Sequence, residues 1–235
     1  MFTAFELSED NRDPIRHNQL TSDLFAMTLY PSIAVSDSFN ALANVGAAYI
    51  AHKAECPHAR LGFLLVTIAS VSGVIRFGIS ESWEDINSSL SDLVAFFGLP
   101  LVGHSFVLLQ TKHNTLLELL ALSLVLECCT RTDEEAGEAT TERQLAIVCL
   151  NIFSFIGPAL FTSWRSREFC TAIGAVLFVI AGVGIGGDRD ETLLGVRRMN
   201  LFHYFIGASG VMLGLGLKKV NEKKNVSEEE RTSMI

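Results

Sequence analysis

Seven apolar blocks constrain this chain more than any other feature. They run over 33–53, 61–79, 88–109, 115–129, 144–164, 168–187 and 199–217, with little polar sequence between most of them. Most are close to the ~20 residues that a helix rising ~1.5 Å per residue needs to cross the hydrocarbon of a bilayer. In a soluble domain the apolar residues recur at helix or strand spacing, and charged residues make up about a quarter of the chain. Here only 19% of the 235 residues are charged and 49% are hydrophobic, and the mean hydropathy is +0.35. Lipid gives backbone groups no hydrogen-bond partner, so continuous apolar blocks of this length are expected to cross as helices. The expected fold is therefore all-α: a polytopic membrane protein with about seven transmembrane helices in one bundle over 33–217. An acidic N-terminal segment, 1–32, precedes it and a charged tail, 218–235, follows. The first block is polar along one face, and the fourth is short with Glu118 and Glu127 near its ends, so a re-entrant path stays open for either.

The net charge of -8 argues against nucleic acid as a partner. Cys56, Cys128, Cys129, Cys149 and Cys170 form no CxxC pair, so neither a disulfide framework nor a metal site is expected, and no cofactor. Residues 1–32 carry Glu6, Glu9, Asp10, Asp13 and Asp23 and lack the basic-then-apolar build of a cleavable signal, which leaves targeting to the first span. In a seven-span topology Lys53, Arg60, Lys112, Arg165, Arg167, Lys218, Lys219, Lys223, Lys224 and Arg231 fall on one side, and Arg12, Arg16, Arg76, Arg131, Arg143, Arg189, Arg197 and Arg198 on the other. That is ten against eight, and the four tail lysines close to the last span tip the balance. The bias of basic residues toward the cytosol then puts the C-terminus in the cytosol and the N-terminus outside or in a lumen.

The third block, Ser88 to Leu109, combines Asp92, a Gly98-Leu99-Pro100 break and His104, which marks it as the expected centre of the bundle. An ionisable residue at mid-bilayer costs about 2.5–3.5 kcal/mol on insertion scales, so such groups turn inward. Counted from the non-cytosolic boundary, Asp37, Asp92 and His203 share one level. Asn40 and Asn44 follow Asp37 at spacings of three and four, which puts the three on one helix face. Asn151 sits a little deeper, and Arg76 ends the second span on the same side. This layer reads either as a polar pocket opening outward or as interhelical glue.

Three function classes follow. The layer loosely resembles seven-span intramembrane hydrolases of the ceramidase type, which combine serine, aspartate and three histidines around zinc. Asp92 with Ser70 or Ser72 fits that pattern, but His203 is followed at four residues by Gly207, so the histidine pair of the last span is missing and no catalytic residue is assigned. A small-solute or proton-coupled carrier would use Asp37, Asp92 and His203, with Pro100 and Pro158 breaking helices. A non-enzymatic accessory or packing partner in a membrane assembly needs only the packing surfaces, and is the favoured reading. Gly182-xxx-Gly186 and Gly210-xxx-Gly214 are expected to let span six approach span seven, or two copies approach each other.

Shorter signals suggest partners and modifications. Asn87-Ser-Ser is a glycosylation sequon on the outer side, Cys56 and Cys170 lie where reversible acylation occurs, and the terminal Thr232-Ser-Met-Ile235 suits a PDZ groove. The lysines of the tail favour anionic lipid. Finally, the run from Ser38 through Ala54-Glu55 to Gly62-Phe-Leu-Leu65, then Phe97-Gly-Leu-Pro-Leu101 and Leu160-Phe-Thr162 before Gly174, resembles the transmembrane protein 276 family of vertebrates. That resemblance implies a multi-pass membrane protein and brings no established activity and no catalytic residue.

Overall fold

In the computed structural model, residues 30–111, 147, 149–186 and 190–233 are described. The block 115–129, the loop 130–143, most of the segment 1–32 and the last two residues of the PDZ-like terminus lie outside them. About 90% of the described chain is helical, so the all-α class holds. By length and composition, three helices can cross a membrane: Pro57–Gly78, Glu81–Thr111 and Arg198–Ser233.

Helix α1, Pro31–Lys53, and helix α2, Pro57–Gly78, form a hairpin. Each begins with proline, whose missing N–H falls where a helix has no acceptor for it. Between them Glu55 takes φ 56°, and the Cys56 amide donates back to the Ala51 carbonyl at 2.9 Å, which closes the end of α1 and reverses the chain. A short 3-10 turn, Glu81–Trp83, leads into α3, Glu84–Leu93, then a π-helical turn, Val94–Gly98, and α4, Leu99–Thr111. The chain resumes with a second π turn, Ile152–Ile156, and α5, Gly157–Ser166. Next come α6, Phe169–Val179, and a third π turn, Ile180–Ile185. A two-stranded hairpin follows, β1 Thr192–Leu193 on β2 Val196–Arg197. Its two turn residues, Leu194 and Gly195, have φ of 56° and 78°, the twist that a tight hairpin needs. The last helix, α7, Arg198–Ser233, has 36 residues, about 54 Å of rod.

The expected break at Gly98-Leu99-Pro100 is instead a continuous helix. A proline ring collides with the carbonyl four residues back, and a π turn placed just before it widens the backbone enough to absorb the collision. Pro158 is treated the same way by the π turn Ile152–Ile156. The two π-bearing rods touch at Gly103, where an added Cβ would lie 2.7 Å from the Phe155 Cα.

The helices close a ring in the order α1, α2, α4, α5, α6, α7, with α7 back against α1. Its interior holds Phe63, Val102, Phe106, Phe155, Leu213 and Leu217 among alanines such as Ala47, Ala51, Ala59 and Ala159. Between helices in lipid there is little hydrophobic drive, and small residues let backbones come close enough to gain dispersion energy. Within the chain Gly182, Gly186, Gly210 and Gly214 do not join span six to span seven, one of the two approaches expected of them. Gly210 and Gly214 pack on α1, where an added Cβ would meet Asn44 and Ala47. The contact of α6 with α7 runs instead through Gly174, against Leu213, and Gly216, against Thr171. No described atom lies within 4 Å of a Cβ on Gly182, and Gly186, with φ 71°, ends the helix. The π turn between Gly174 and Gly186 shifts the register, so the GxxxG spacing there no longer defines one face.

Gln110 near the end of α4 donates to Ser166 at the end of α5, at 2.7 Å. These two rods therefore finish at the same edge of the bundle. At the opposite edge Tyr30 reaches Asp190 at 3.3 Å.

Candidate functional site

The polar groups of α1 collect on the face that meets α2 and α7. Ser36 and Asp37 lie one turn before Asn40, and Asn44 one turn after it, so the 3.6-residue period stacks them. All four are buried. The Asp37 Oδ1 lies 3.4 Å from the His203 Nδ1 on α7. Ser36 donates to the Ile33 carbonyl at 2.8 Å, and its Oγ is 3.1 Å from the same histidine nitrogen and 3.4 Å from the Asn200 Oδ1. A second branch runs toward α2. The Asn44 amide donates to the Asn40 Oδ1 at 2.8 Å, the Asn40 amide to the Ser70 Oγ at 2.9 Å, and Ser70 to the Val66 carbonyl at 3.0 Å.

Two glycines make room for this network. A Cβ on Gly73 would lie 2.3 Å from the Asp37 Oδ2, and one on Gly210 would lie 2.5 Å from the Asn44 Oδ1. The Asp37 Oδ2 is fully buried and accepts no hydrogen bond from the described residues. Below the network a small cavity of about 20 Å³ opens between Asn44, Phe63, Phe155, Ser209 and Leu213, room for a single water.

Of the layer expected from sequence, Asp37, Asn40, Asn44 and His203 come together and Asp92 does not join them. Asp92 is half-buried on the last turn of α3, a helix that docks on an adjacent face of α2. There the Asn87 amide donates to the Ser72 Oγ at 2.8 Å and the Ala69 carbonyl at 3.2 Å, and Arg76 donates to the Asn87 Oδ1 at 3.3 Å and pairs with Glu84. Depth along a span fixes level but not direction around the helix axis, which is why equal depth did not bring Asp92 to His203. The same contacts occupy the nitrogen to which a glycan would attach at Asn87. Asn151 donates to the Ile147 carbonyl of its own helix at 3.0 Å, and His104 lies edge-on to His58 with ring centroids 5.0 Å apart; neither is part of the group around Asp37.

Three members of the site had weak signals in the sequence. Ser36 adjoins Asp37, Asn200 precedes His203 by three on the same face of α7, and Gly73 follows Ser70 by three on α2. The chemistry open to the group is limited by its geometry. In a Ser-His-Asp relay the imidazole bridges serine and aspartate through different nitrogens; here Ser36 and Asp37 both approach Nδ1. Among the described residues no group of three or more His, Cys, Asp or Glu could hold a metal ion.

A second cluster sits at the opposite edge, where α5 turns into α6. Glu168 accepts from the Cys170 and Thr171 amides at 3.1 and 2.9 Å and from the Thr171 hydroxyl at 3.0 Å, which caps α6. Burial pushes its carboxyl up, but the donors of Thr171 and Cys170 outweigh that and hold it below the ordinary glutamate value. The Lys219 Nζ of α7 stands 3.5 Å from the Glu168 Oε1 and 3.0 Å from the Cys170 Sγ; that thiol contact, ahead of Glu168, raises the ammonium's affinity for its proton. Cys56, expected as an acylation site, is buried, and burial pushes its thiol up to about 11.

Compared with known families, curated proteins and solved structures, the chain matches none.

Proposed function

We propose that this chain is an integral, multi-pass membrane protein of seven crossings, with its N-terminus outside or in a lumen and its C-terminus in the cytosol. On this reading it acts without chemistry of its own, as a packing partner in a membrane assembly. One observation carries the reading: α1 is polar inside and apolar outside. Val35, Leu42 and Tyr49 are 62%, 73% and 61% exposed, whereas Asp37 and Asn44 are 4% and 2% exposed. Phe39 and Val45 complete the outward stripe. In water this arrangement would leave an apolar surface that soluble monomers rarely tolerate, and in lipid it is the low-energy one.

The count of seven draws support from the direction of the rods. With α4 and α5 ending at one edge, the chain has to return to the other edge within residues 112–146, the stretch that includes the apolar block 115–129. A crossing there makes every rod alternate in direction. The orientation draws support from the α5–α6 edge, which gathers Arg165, Arg167, Lys218, Lys219, Lys223 and Lys224.

The buried network then serves as interhelical glue, binding α1 to α2 and α7 by contacts worth about 0.6–1.7 kcal/mol each in lipid. The partners would be other membrane proteins along the lipid-facing stripes, with the C-terminus as a further contact for a PDZ domain. Purification of the full chain in mild detergent, with identification of what accompanies it, tests the role. A stoichiometric membrane protein supports it, and a chain that purifies alone while catalysing uptake refutes it. The alternative, a proton-coupled or small-solute carrier, is favoured by the buried Asp37 Oδ2, which has no hydrogen-bond partner among the described residues. It requires Asp37→Asn to abolish pH-dependent uptake, whereas the packing role requires that variant to change stability or co-purification only.

A further inference from the structure

We propose that the turn between α5 and α6, with the first cytosolic turns of α7, is a binding site for the phosphate-bearing headgroup of an anionic membrane lipid. The proposal rests on the reading that the bundle spans a bilayer. The turn is rigid and already shaped. Arg167 closes α5 with φ 49°, and the Lys223 Nζ donates to the Ser166 carbonyl at 2.8 Å and the Arg167 carbonyl at 3.4 Å. Ser163 donates to the Glu168 carbonyl. These contacts hold Arg165 and Arg167 at the surface, both exposed and with no carboxylate within ion-pair distance among the described residues.

Charge at the turn is unbalanced. Its own acid, Glu168, is turned inward and occupied by the α6 amides and Lys219. The nearby Glu222 lies 3.8 Å from Lys218. The two guanidiniums of Arg165 and Arg167 remain exposed beside a spent carboxylate, an arrangement that favours a phosphate, which guanidinium groups engage through paired donors.

The aromatic flanks decide between lipid and a soluble anion. Trp164 and Phe169, on either side of the turn, are 77% and 76% exposed, and such rings settle at the level of headgroups. Below them Phe161 and Ile173, each 47% exposed, continue the apolar surface down the bundle. A headgroup on Arg165 and Arg167 would lay its acyl chains along that surface; free phosphate would leave it bare.

Tryptophan emission tests this directly, because the chain has two tryptophans and they lie at opposite edges. In full-length protein carrying Trp83→Phe, purified in neutral detergent, Trp164 reports alone. Phosphatidylserine with brominated acyl chains is expected to quench it at lower concentration than brominated phosphatidylcholine. Arg165→Gln and Arg167→Gln are each expected to weaken the anionic lipid about fivefold, and the double variant about thirtyfold, while Arg231→Gln, far along α7, leaves it unchanged. Equal quenching by the two lipids, or an unchanged double variant, overturns the headgroup site while leaving the membrane reading intact. Full displacement of the anionic lipid by inorganic phosphate also overturns it, in favour of a soluble anion. No quenching by either lipid would instead remove the membrane reading on which the proposal rests.

Discussion

Replacing Gly73 by alanine should loosen the bundle, although the same change in an open helical position should tighten it. The added Cβ would stand 2.3 Å from the Asp37 Oδ2 and 2.8 Å from its Cγ, so the carboxyl has to swing out of its place beside His203. Overpacking of this kind costs about 1–3 kcal/mol, and the lost polar contact adds about 0.6 kcal/mol. Against this, alanine is the better helix former by about 0.8–1.0 kcal/mol. Gly46 of α1 provides the control, since nothing lies within 4 Å of its Cβ position and Gly46→Ala keeps only the favourable part. The two variants should therefore differ by about 1.5–3.5 kcal/mol, read as melting temperatures of the purified protein in one detergent. Adding Asp37→Ala to Gly73→Ala removes the colliding group, so the double variant should be no less stable than Asp37→Ala alone. Equal stability of Gly73→Ala and Gly46→Ala would refute the packing of Asp37 against α2.

Three further outcomes follow from the same contacts. Glu168 titrates below its ordinary value in the folded protein, so its stabilisation is complete above the unfolded pKa and fades as pH falls through the folded one; Glu168→Gln should cost about 1 kcal/mol at neutral pH, with the gap in melting temperature closing in acid. A small maleimide should label Cys170 in the folded protein and spare Cys56, and labelling of both at one rate would contradict the burial of the α1–α2 turn. Asn87 should carry no glycan when the chain is made in a secretory membrane, and a mass shift on glycosidase treatment would mean that α3 does not dock through that amide.

Much of the site could be read from spacing alone. Asp37, Asn40 and Asn44 share a face because three and four residues make one helical turn, and His203 meets them because α7 runs alongside α1 in the same direction, Gly207, Gly210 and Gly214 meeting Phe39, Asn44 and Ala47 in turn. Asp92 was expected there on depth as well, yet direction around the axis depends on which face of α2 the Asn87 amide finds, and no local pattern encodes that. Pro100 shows a different limit: its ring demands a backbone change, but a π turn meets the demand as well as a break does. GxxxG marks where close approach is allowed and is silent about the partner, so the spacing of Gly210 and Gly214 leaves span six, a second copy and α1 equally open, and it is α1 that they face. Glu168 carries no signal in the sequence, because a capping carboxylate in a turn looks like any solvated one until Lys219 of α7 stands beside it.

The central claim is that the rods alternate through a bilayer an odd number of times. Tagging the two ends of the full chain in intact cells, and probing each tag before and after permeabilisation, tests it most directly. The N-terminal tag should be accessible from the non-cytosolic side alone and the C-terminal tag from the cytosol alone. Both tags on one side would contradict the account.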